Sequence, residues 1–253
     1  MSVSHLSEAR LSNDPYYEQR VDLACAFRWT ARLNMHEAAA NHFSLAVSDD
    51  GKKFLVNPNS RHFSRIKASD LLLLDADDPE TMNRPDAPDP TAWDIHGAMH
   101  RNLPHARCLM HVHSKYATVL ATLQEATLPP IDQNTARFFN RIAVDDGFDG
   151  MGLGEEGERL TTTLGDRKIL VMGNHGVMIA SDTVAEAFDS LYYFERACET
   201  AITAYMTGKE LRILSDEVAE KTARQWEDYP GSAENHLREL KAILDEEGSD
   251  YRQ

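Results

Sequence analysis

The order of apolar and polar positions predicts an alternation of helices and strands along the chain. Residues 17–39 carry apolar side chains at helical spacing, and HFSLAVS and KFLVN then predict two strands joined by a DDG turn. Further strands are predicted at LLLLD, ARCLMHV, RIAVDD, KILVMG and VMIAS. Further helices are predicted at AWDIHGAMHRN, SKYATVLATLQ, GEEGERLTTTLG and residues 182–207, the last with Ser181 or Asp182 as its N-cap.

This pattern predicts a single α/β domain over residues 1–253, with a mixed or antiparallel sheet covered by helices. Short hairpins interrupt the alternation of helices and strands. Neither GxGxxG nor GxxxxGK[ST] occurs, so a doubly wound nucleotide-binding fold has no support. The segment after residue 209 is polar and charged, and we expect it to be helical.

Composition narrows the class of protein. The 41 acidic and 26 basic residues give a net charge of −15, which argues against a nucleic-acid partner. No apolar run approaches the roughly 20 residues that span a bilayer. The polar N-terminus lacks the apolar core of a signal peptide, so we expect a cytoplasmic protein with no membrane partner. The three cysteines are far apart in sequence, and we expect them to be core thiols.

Two histidines share one face of a predicted strand. His111 and His113 are two residues apart, so their side chains point the same way at a separation of roughly 7 Å. His175 lies in the turn GNHG, where glycines allow a sharp bend. Three histidines without cysteines are compatible with an open, catalytic zinc site. On spacing alone, a chance occurrence of the pair among 11 histidines remains the alternative.

Longer segments around these histidines resemble a known family. HGAMHRNLPHARCLMHVHSKYATVLATL and the later ILVMGNHGVMIAS are similar to the class II aldolase/adducin family. ANHFSLAV, FLVNPNSRHFSRIKASDLLLLD and DSLYYFERACETAITA match it in order and spacing. The resemblance covers a core at residues 20–210 and leaves a polar, helical tail at 211–253 uncovered.

The resemblance implies a mostly antiparallel sheet between helical layers, and a cyclic homotetramer with active sites at subunit boundaries. It implies that His111, His113 and His175 hold Zn²⁺ or another divalent metal such as Mn²⁺, Fe²⁺ or Co²⁺. Family substrates are typically small sugar phosphates, cleaved or epimerised through an enediolate that the metal stabilises as a Lewis acid. The aromatic-rich segment FDSLYYFERAC also favours assembly, because its rings exceed what one helix face usually packs internally.

The acid/base position departs from the family pattern. The sugar-phosphate aldolases carry a glutamate ahead of the histidine pair, and the matching position here is Ala92. Alanine can neither bind a metal nor transfer a proton. His96 and His100 lie four residues apart on one helix face. We take His96 as the candidate catalytic residue, with a packing role as the alternative.

The substrate-binding positions differ as well. Of the family's phosphate-binding set, this chain retains Asn41, while the loop reads Asn59-Ser60 and is followed by Arg61. One bidentate arginine suits a carboxylate better than it suits a phosphate. We therefore expect these four residues to bind a hydroxy- or oxo-acid. Gln133 lies near the position of a tyrosine that the aldolases recruit from a neighbouring subunit, and could hydrogen bond the substrate.

Three functions remain in view. The first is a metal-dependent carbon–carbon lyase of the aldolase type, acting on a small hydroxy- or oxo-acid or a sugar-derived substrate. The second is a decarboxylase on the same scaffold, which needs no base to remove a hydroxyl proton. The third is a non-catalytic, adducin-like interaction domain. Adducin heads lack the metal histidines, so the presence of all three here argues against the third.

Overall fold

The structure, a computed structural model, describes residues 13–150 and 156–253. Its α-helices are α1 (Tyr17–Arg32), α2 (Pro90–Asn102), α3 (Lys115–Ala121), α4 (Gln133–Ala136), α5 (Glu156–Leu164), α6 (Val184–Met206), α7 (Asp216–Glu227) and α8 (Ser232–Glu246). Its strands are β1 (His42–Ala46), β2 (Lys53–Val56), β3 (Leu72–Asp75), β4 (Cys108–Val112), β5 (Ile142–Asp145), β6 (Ile169–Met172) and β7 (Gly176–Ser181). Short 3₁₀ turns occur at Phe63–Arg65, Ala68–Asp70 and Thr81–Asn83.

The strands form one seven-stranded sheet in the order β3-β2-β1-β4-β7-β6-β5. Neighbouring strands are antiparallel except β5 and β6, which are parallel. The expected α/β domain with a mostly antiparallel sheet is therefore confirmed. The central strand β4 lies between β1 and β7, so its side chains are held from both sides.

The two faces of the sheet are covered by different helices. On β4, Cys108, Met110 and Val112 enter the larger core, which contains apolar residues of α1, α3, α6 and α8. Leu109 enters a second core on the opposite face, built with α2 and α5. Because side chains alternate along a strand, His111 faces the same side as Leu109, toward α2.

The end of α1 differs from the predicted end at residue 39. The helix stops at Arg32, and Asn34 and Ala38 adopt positive φ angles of 56° and 47°. Residues with positive φ do not continue a right-handed helix. The chain therefore turns after Arg32 and carries Glu37 across the sheet toward the end of β4.

The start of α6 also differs from the prediction. Its N-cap is Thr183, whose hydroxyl accepts the backbone N–H of Glu186, and not Ser181 or Asp182. Ser181 cannot take that role because it is the last residue of β7, paired with Cys108 of β4.

The C-terminal helices join the main core. Leu237, Leu240 and Leu244 of α8 are buried there, together with Tyr251. Helix α6 carries the aromatic segment that the sequence assigns to an assembly interface. The α7 and α8 helices contact its partly buried tyrosines, with ring centroids 5.8 Å apart for Tyr193–Trp226 and 5.2 Å for Tyr192–His236. These two rings therefore have partners within the chain.

Two further expectations can be compared with the structure. All three cysteines are free and buried, as predicted. Among the described residues, no helix combines the length and the apolar character needed to cross a membrane.

Candidate active site

His111 is held in one orientation by the sheet. It lies on β4 opposite Met178 of β7, and its Nδ1 is 3.0 Å from the carbonyl oxygen of Val177. A carbonyl can only accept, so Nδ1 carries the proton and donates it. The lone pair of neutral His111 is therefore on Nε2, which points away from β7 and toward His113.

His113 is held in a similar way by the loop after α1. Its Nδ1 is 2.6 Å from Oε2 of Glu37, so Nδ1 donates to the carboxylate, and in the neutral ring Nε2 carries the lone pair. Asn41 braces that loop, because its Oδ1 accepts the backbone N–H groups of Glu37 at 2.7 Å and His113 at 3.4 Å. Asn41 is buried and its Nδ2 finds no partner among the described residues.

The turn that joins the end of β4 to the start of α3 is held by a carboxylate of α6. The carboxylate of Glu195 on α6 accepts the Ser114 hydroxyl at 2.6 Å and the backbone N–H groups of Tyr116 and Ala117, each at 2.9 Å. An acidic side chain at a helix N-terminus satisfies groups that lack partners within the helix. The turn that follows His113 is therefore anchored to the main core.

His175 comes from the hairpin between β6 and β7. Asn174 has a φ of 56°, and its N–H donates to the Ala121 carbonyl at 2.9 Å, which ties the hairpin to α3. A Cβ atom at Gly176 would lie 2.6 Å from the Val112 carbonyl oxygen and 2.8 Å from His113 Cδ2. Only glycine lets the hairpin approach β4 closely enough to bring His175 beside His113.

The three imidazoles converge on one point. One ring nitrogen each of His111, His113 and His175 lies within 4.8 Å of the other two, and the Nε2 atoms of His111 and His113 are 3.0 Å apart. Tetrahedral Zn²⁺ ligands at 2.0–2.1 Å are separated by about 3.3 Å. Two lone pairs facing each other without a proton between them repel, and a cation between them removes that repulsion. These residues therefore fit a divalent metal.

Burial favours the uncharged forms of His111 and His175. Desolvation lowers the pKa of His111 well below its usual range, and lowers the pKa of His175 to about 4. Both rings are thus neutral near pH 7 and do not need to lose a proton before binding a metal. His175 Nδ1 is buried without a hydrogen-bond partner among the described residues.

The three histidines line a cleft of about 740 Å³. Its other walls come from the loop after α1, the N-terminus of α2, the start of α3 and the segment before residue 151. The described lining residues besides the three histidines are Asn34, His36, Glu37, Ala40, His42, Asp89, Thr91, Lys115, Thr118, Phe148, Gly150 and Asn174.

Ala92 is the position that matches the glutamate of the sugar-phosphate aldolases. Ala92 is buried in an apolar cluster with Phe54 and Leu74 and does not line the cleft. Thr91 and the N-cap residue Asp89 face the cleft instead. Helix α2 therefore presents a hydroxyl and a capping carboxylate to the cleft.

His96 does not line the cleft itself, but it contacts a residue that does. Its side chain is fully buried, and its Nε2 is 2.7 Å from Nδ1 of His42, which does line the cleft. The structure therefore connects His96 to the cleft through His42.

The other sequence-predicted substrate residues do not line this cleft. Asn59 and Ser60 are exposed and hydrogen bond each other at 2.9 Å. Arg61 forms a salt bridge with Asp70, with Nη2 and Oδ2 3.1 Å apart. Gln133 lines a separate surface cleft beside Trp226.

Sequence reasoning missed His42, Glu37 and Thr91. A signal for His42 exists in HFSLA, where His42 and Ser44 alternate with core residues Phe43 and Leu45. That alternation places His42 on one face of β1 but does not identify the neighbouring strand. The pairing of His42 with His111 appears only in the folded sheet.

A mostly antiparallel sheet carrying a three-histidine cluster in an open cleft is the architecture of a class II aldolase-type domain. A family model described as "Class II Aldolase and Adducin N-terminal domain" matches residues 21–202, and the chain belongs to that family.

Individual relatives agree with this assignment. A protein of Caulobacter vibrioides described as "Putative aldolase class 2 protein" is 30% identical over 83% of this chain and 81% of its own. The decarboxylase NovR of Streptomyces niveus is 29% identical over 84% of this chain and 80% of its own. The crystal structure of an aldolase II superfamily protein from Pseudomonas syringae is similar with a TM-score of 0.84 at 30% identity, covering 95% of this chain and 97% of that one.

Proposed function

We propose that the protein is a divalent-metal-dependent carbon–carbon lyase that acts on a small hydroxy- or oxo-acid. The observation that carries this proposal is the set of three histidines whose ring nitrogens converge in an open cleft. Zn²⁺, or another divalent ion such as Mn²⁺, bound there would polarise a substrate oxygen as a Lewis acid. The cleft is large enough for a small acid beside the histidines.

The substrate's anionic end has a candidate partner on α3. Lys115 lines the cleft, and it is the one lysine or arginine among the described lining residues. Thr118, one helical turn further on, also lines the cleft, and its buried Oγ1 has no hydrogen-bond partner among the described residues. A carboxylate placed between them would accept a hydrogen bond from each. We therefore propose Lys115 and Thr118 for the role that the sequence suggests for Arg61, which is engaged with Asp70.

Decarboxylation is the second candidate reaction. Retro-aldol cleavage needs a base for a hydroxyl proton, whereas loss of carbon dioxide needs an electron sink and a later proton donor. The family's glutamate position is Ala92, which is packed in an apolar cluster. The relative NovR, named a decarboxylase, also favours this candidate. Both candidates share the metal site and differ in the product released.

We further propose that the protein is a homotetramer whose clefts are completed at subunit boundaries, as family membership suggests. The side chain of Phe148 supports a boundary near the cleft, because it lines the cleft and remains 46% exposed. Gln133 lies outside the cleft of its own chain, so a role in substrate binding would require the cleft of a neighbouring subunit. Light scattering at micromolar concentration tests the assembly, and a monomer would contradict it.

The reaction is tested on protein stripped of metal and then reloaded with Zn²⁺ or Mn²⁺. A panel of hydroxy- and oxo-carboxylic acids is compared with fuculose, rhamnulose and ribulose phosphates, following aldehyde and carbon dioxide release. We expect metal-dependent turnover of an acid that is lost in His111→Ala and retained in His105→Ala, a half-buried histidine outside the cleft. Aldehyde release identifies the lyase and carbon dioxide the decarboxylase. Efficient cleavage of a sugar phosphate alone would contradict the proposed substrate class.

A further inference from the structure

A chain of hydrogen bonds runs from the turn after α2 to the wall of the cleft. We call its four side chains, His100, Ser44, His96 and His42, the histidine relay. Ser44 Oγ is 2.7 Å from His100 Nε2 and also bonds His96 Nδ1, and His96 Nε2 is 2.7 Å from His42 Nδ1. All four residues are at most 4% exposed.

One backbone carbonyl sets the position of every proton in the relay. His100 Nδ1 is 2.6 Å from the Ala106 carbonyl oxygen and must donate to it. His100 Nε2 then carries a lone pair and accepts the Ser44 hydroxyl proton. The Ser44 oxygen in turn accepts from His96 Nδ1–H. His96 Nε2 is left to accept from His42 Nδ1–H, so neutral His42 carries its lone pair on Nε2.

Burial keeps the relay neutral. Desolvation lowers the pKa of His100 to about 4, and lowers that of His96 well below its usual range. Each neutral ring has one donor and one acceptor, so the order of protons has no alternative that satisfies Ala106.

The free end of the relay faces the cleft. The nearest hydrogen-bonding atom to His42 Nε2 among the described contacts is Thr91 Oγ1, at 3.3 Å. The Thr91 hydroxyl also lies 2.6 Å from Oδ1 of Asp89. It has one proton, and it donates that proton in a hydrogen bond to the Asp89 carboxylate. His42 Nε2 therefore remains an acceptor without a donor. His42 neighbours His111, with ring centroids 4.8 Å apart, but it is outside the three-nitrogen metal cluster.

We propose that His42 accepts a hydrogen bond from a hydroxyl group of the substrate, and that His96, Ser44 and His100 are positioning residues that hold His42 in the accepting tautomer. The role toward substrate rests on the proposed function and narrows its substrate class to acids that bear a hydroxyl group. The tautomer itself follows from the hydrogen bonds alone.

The tautomers are measured directly by long-range ¹H–¹⁵N spectra of metal-free protein with ¹⁵N-labelled histidine. We expect the Nδ1–H form for His42, His96 and His100, with signals assigned by single substitutions. Ser44→Ala breaks the relay, and His42 should shift toward the Nε2–H form that an unrestrained imidazole prefers. His100→Gln should leave His42 unchanged, because a glutamine amide can donate to Ala106 and accept from Ser44. An Nε2–H tautomer of His42 in the unsubstituted protein would overturn the proposal.

The role toward substrate is measured on Zn²⁺-loaded protein by the binding of glycolate and methoxyacetate at millimolar concentration. Glycolate can donate a hydroxyl proton and methoxyacetate cannot. One hydrogen bond corresponds to a preference of about tenfold for glycolate. That preference should disappear in His42→Phe and in Ser44→Ala, and persist in His105→Gln. An equal preference in His42→Phe would overturn the role. If neither acid bound while the tautomers were as expected, the proposed substrate class would fail instead.

Discussion

Two groups of histidines lie side by side on the α2 face of the sheet, and they differ in where their protons point. In the metal cluster of His111, His113 and His175, the protons of the first two point outward to Val177 and Glu37. In the neutral rings, the lone pairs of their Nε2 atoms, which are 3.0 Å apart, face each other with no proton between them. In the histidine relay, each hydrogen bond has a single proton between the two atoms that it joins. The direction of the hydrogen bonds, and not the number of histidines, therefore distinguishes a cluster that could hold a cation from one that is held by hydrogen bonds.

The largest expected effect is on the free energy of unfolding in acid, which should depend on the buried histidines of the relay more than on histidines near the surface. The folded-state pKa of His42 and of His100 is about 4, against an ordinary value of 6.5. Between pH 6.5 and 4 the unfolded chain binds more protons, so the free energy of unfolding falls as pH falls through that window. Each ring contributes up to about 3 kcal/mol, at 1.36 kcal/mol per unit.

Urea unfolding of metal-free protein across that pH window checks this prediction. His100→Gln removes one buried titrating ring, so its free energy of unfolding should depend less steeply on pH. His105→Gln, at a half-buried position outside the relay, is the control and should keep the slope of the parent protein. An identical slope in all three proteins would show that burial of His100 does not affect its protonation.

Substitution of the hairpin glycine should damage the metal cluster while sparing the relay. In Gly176→Ala the new methyl group collides with the Val112 carbonyl and the His113 ring. We expect a loss of about 3 kcal/mol in the free energy of unfolding, and weaker zinc binding because His175 is displaced. Gly208→Ala is the control, because Gly208 has a φ of 63° and open space around it, so a methyl group there meets no neighbour. If Gly176→Ala bound zinc as tightly as Gly208→Ala, close approach of the hairpin would not be required.

Removing the carboxylate beside His113 should weaken metal binding moderately. Glu37 fixes the His113 tautomer, and outer partners of this type affect metal affinity by about 10- to 100-fold. Because the Glu37 side chain is 63% exposed, we expect Glu37→Gln to lie near the tenfold end. Competition with a chromophoric chelator measures the affinity, and Glu18→Gln, at an exposed position on α1, provides the control. An unchanged affinity would remove Glu37 from the site.

The smallest expected effect is on KM, through the contact with the carboxylate of the substrate. Lys115→Met should raise KM for the acid substrate by about tenfold, the value of one charge-assisted hydrogen bond of about 1.5 kcal/mol. Arg61→Ala should leave KM unchanged, while it lowers the free energy of unfolding because the contact with Asp70 is lost. The reverse result, with KM raised only in Arg61→Ala, would restore the binding role that the sequence suggests for Arg61.

Local patterns predicted most of the fold and drew attention to the three histidines that the fold brings together. The strands followed from short apolar runs, and the shared face of His111 and His113 followed from the alternation of side chains along β4. The position of His175 in a glycine-flanked turn was also visible in the sequence. These features depend on residues that are close together in the chain.

Features that depend on contacts between distant segments were not predictable. His42 meets His111 because β1 pairs with β4 in one particular register. Arg61 forms a salt bridge with Asp70 in a segment whose two 3₁₀ turns each contact α1. Helix α1 ends at Arg32 although its apolar pattern continues, and that early end brings Glu37 to His113. No local periodicity carries this information.

Metal content measured together with affinity tests the central claim most directly. After dialysis against Zn²⁺ and removal of free ion, elemental analysis of the purified protein should find about one zinc per chain. His111→Ala combined with His113→Ala should bind none while retaining its helical circular dichroism, and His105→Ala should bind as the unsubstituted protein does. Full zinc occupancy in the double variant, or no zinc in the unsubstituted protein, would contradict a catalytic metal held by these histidines.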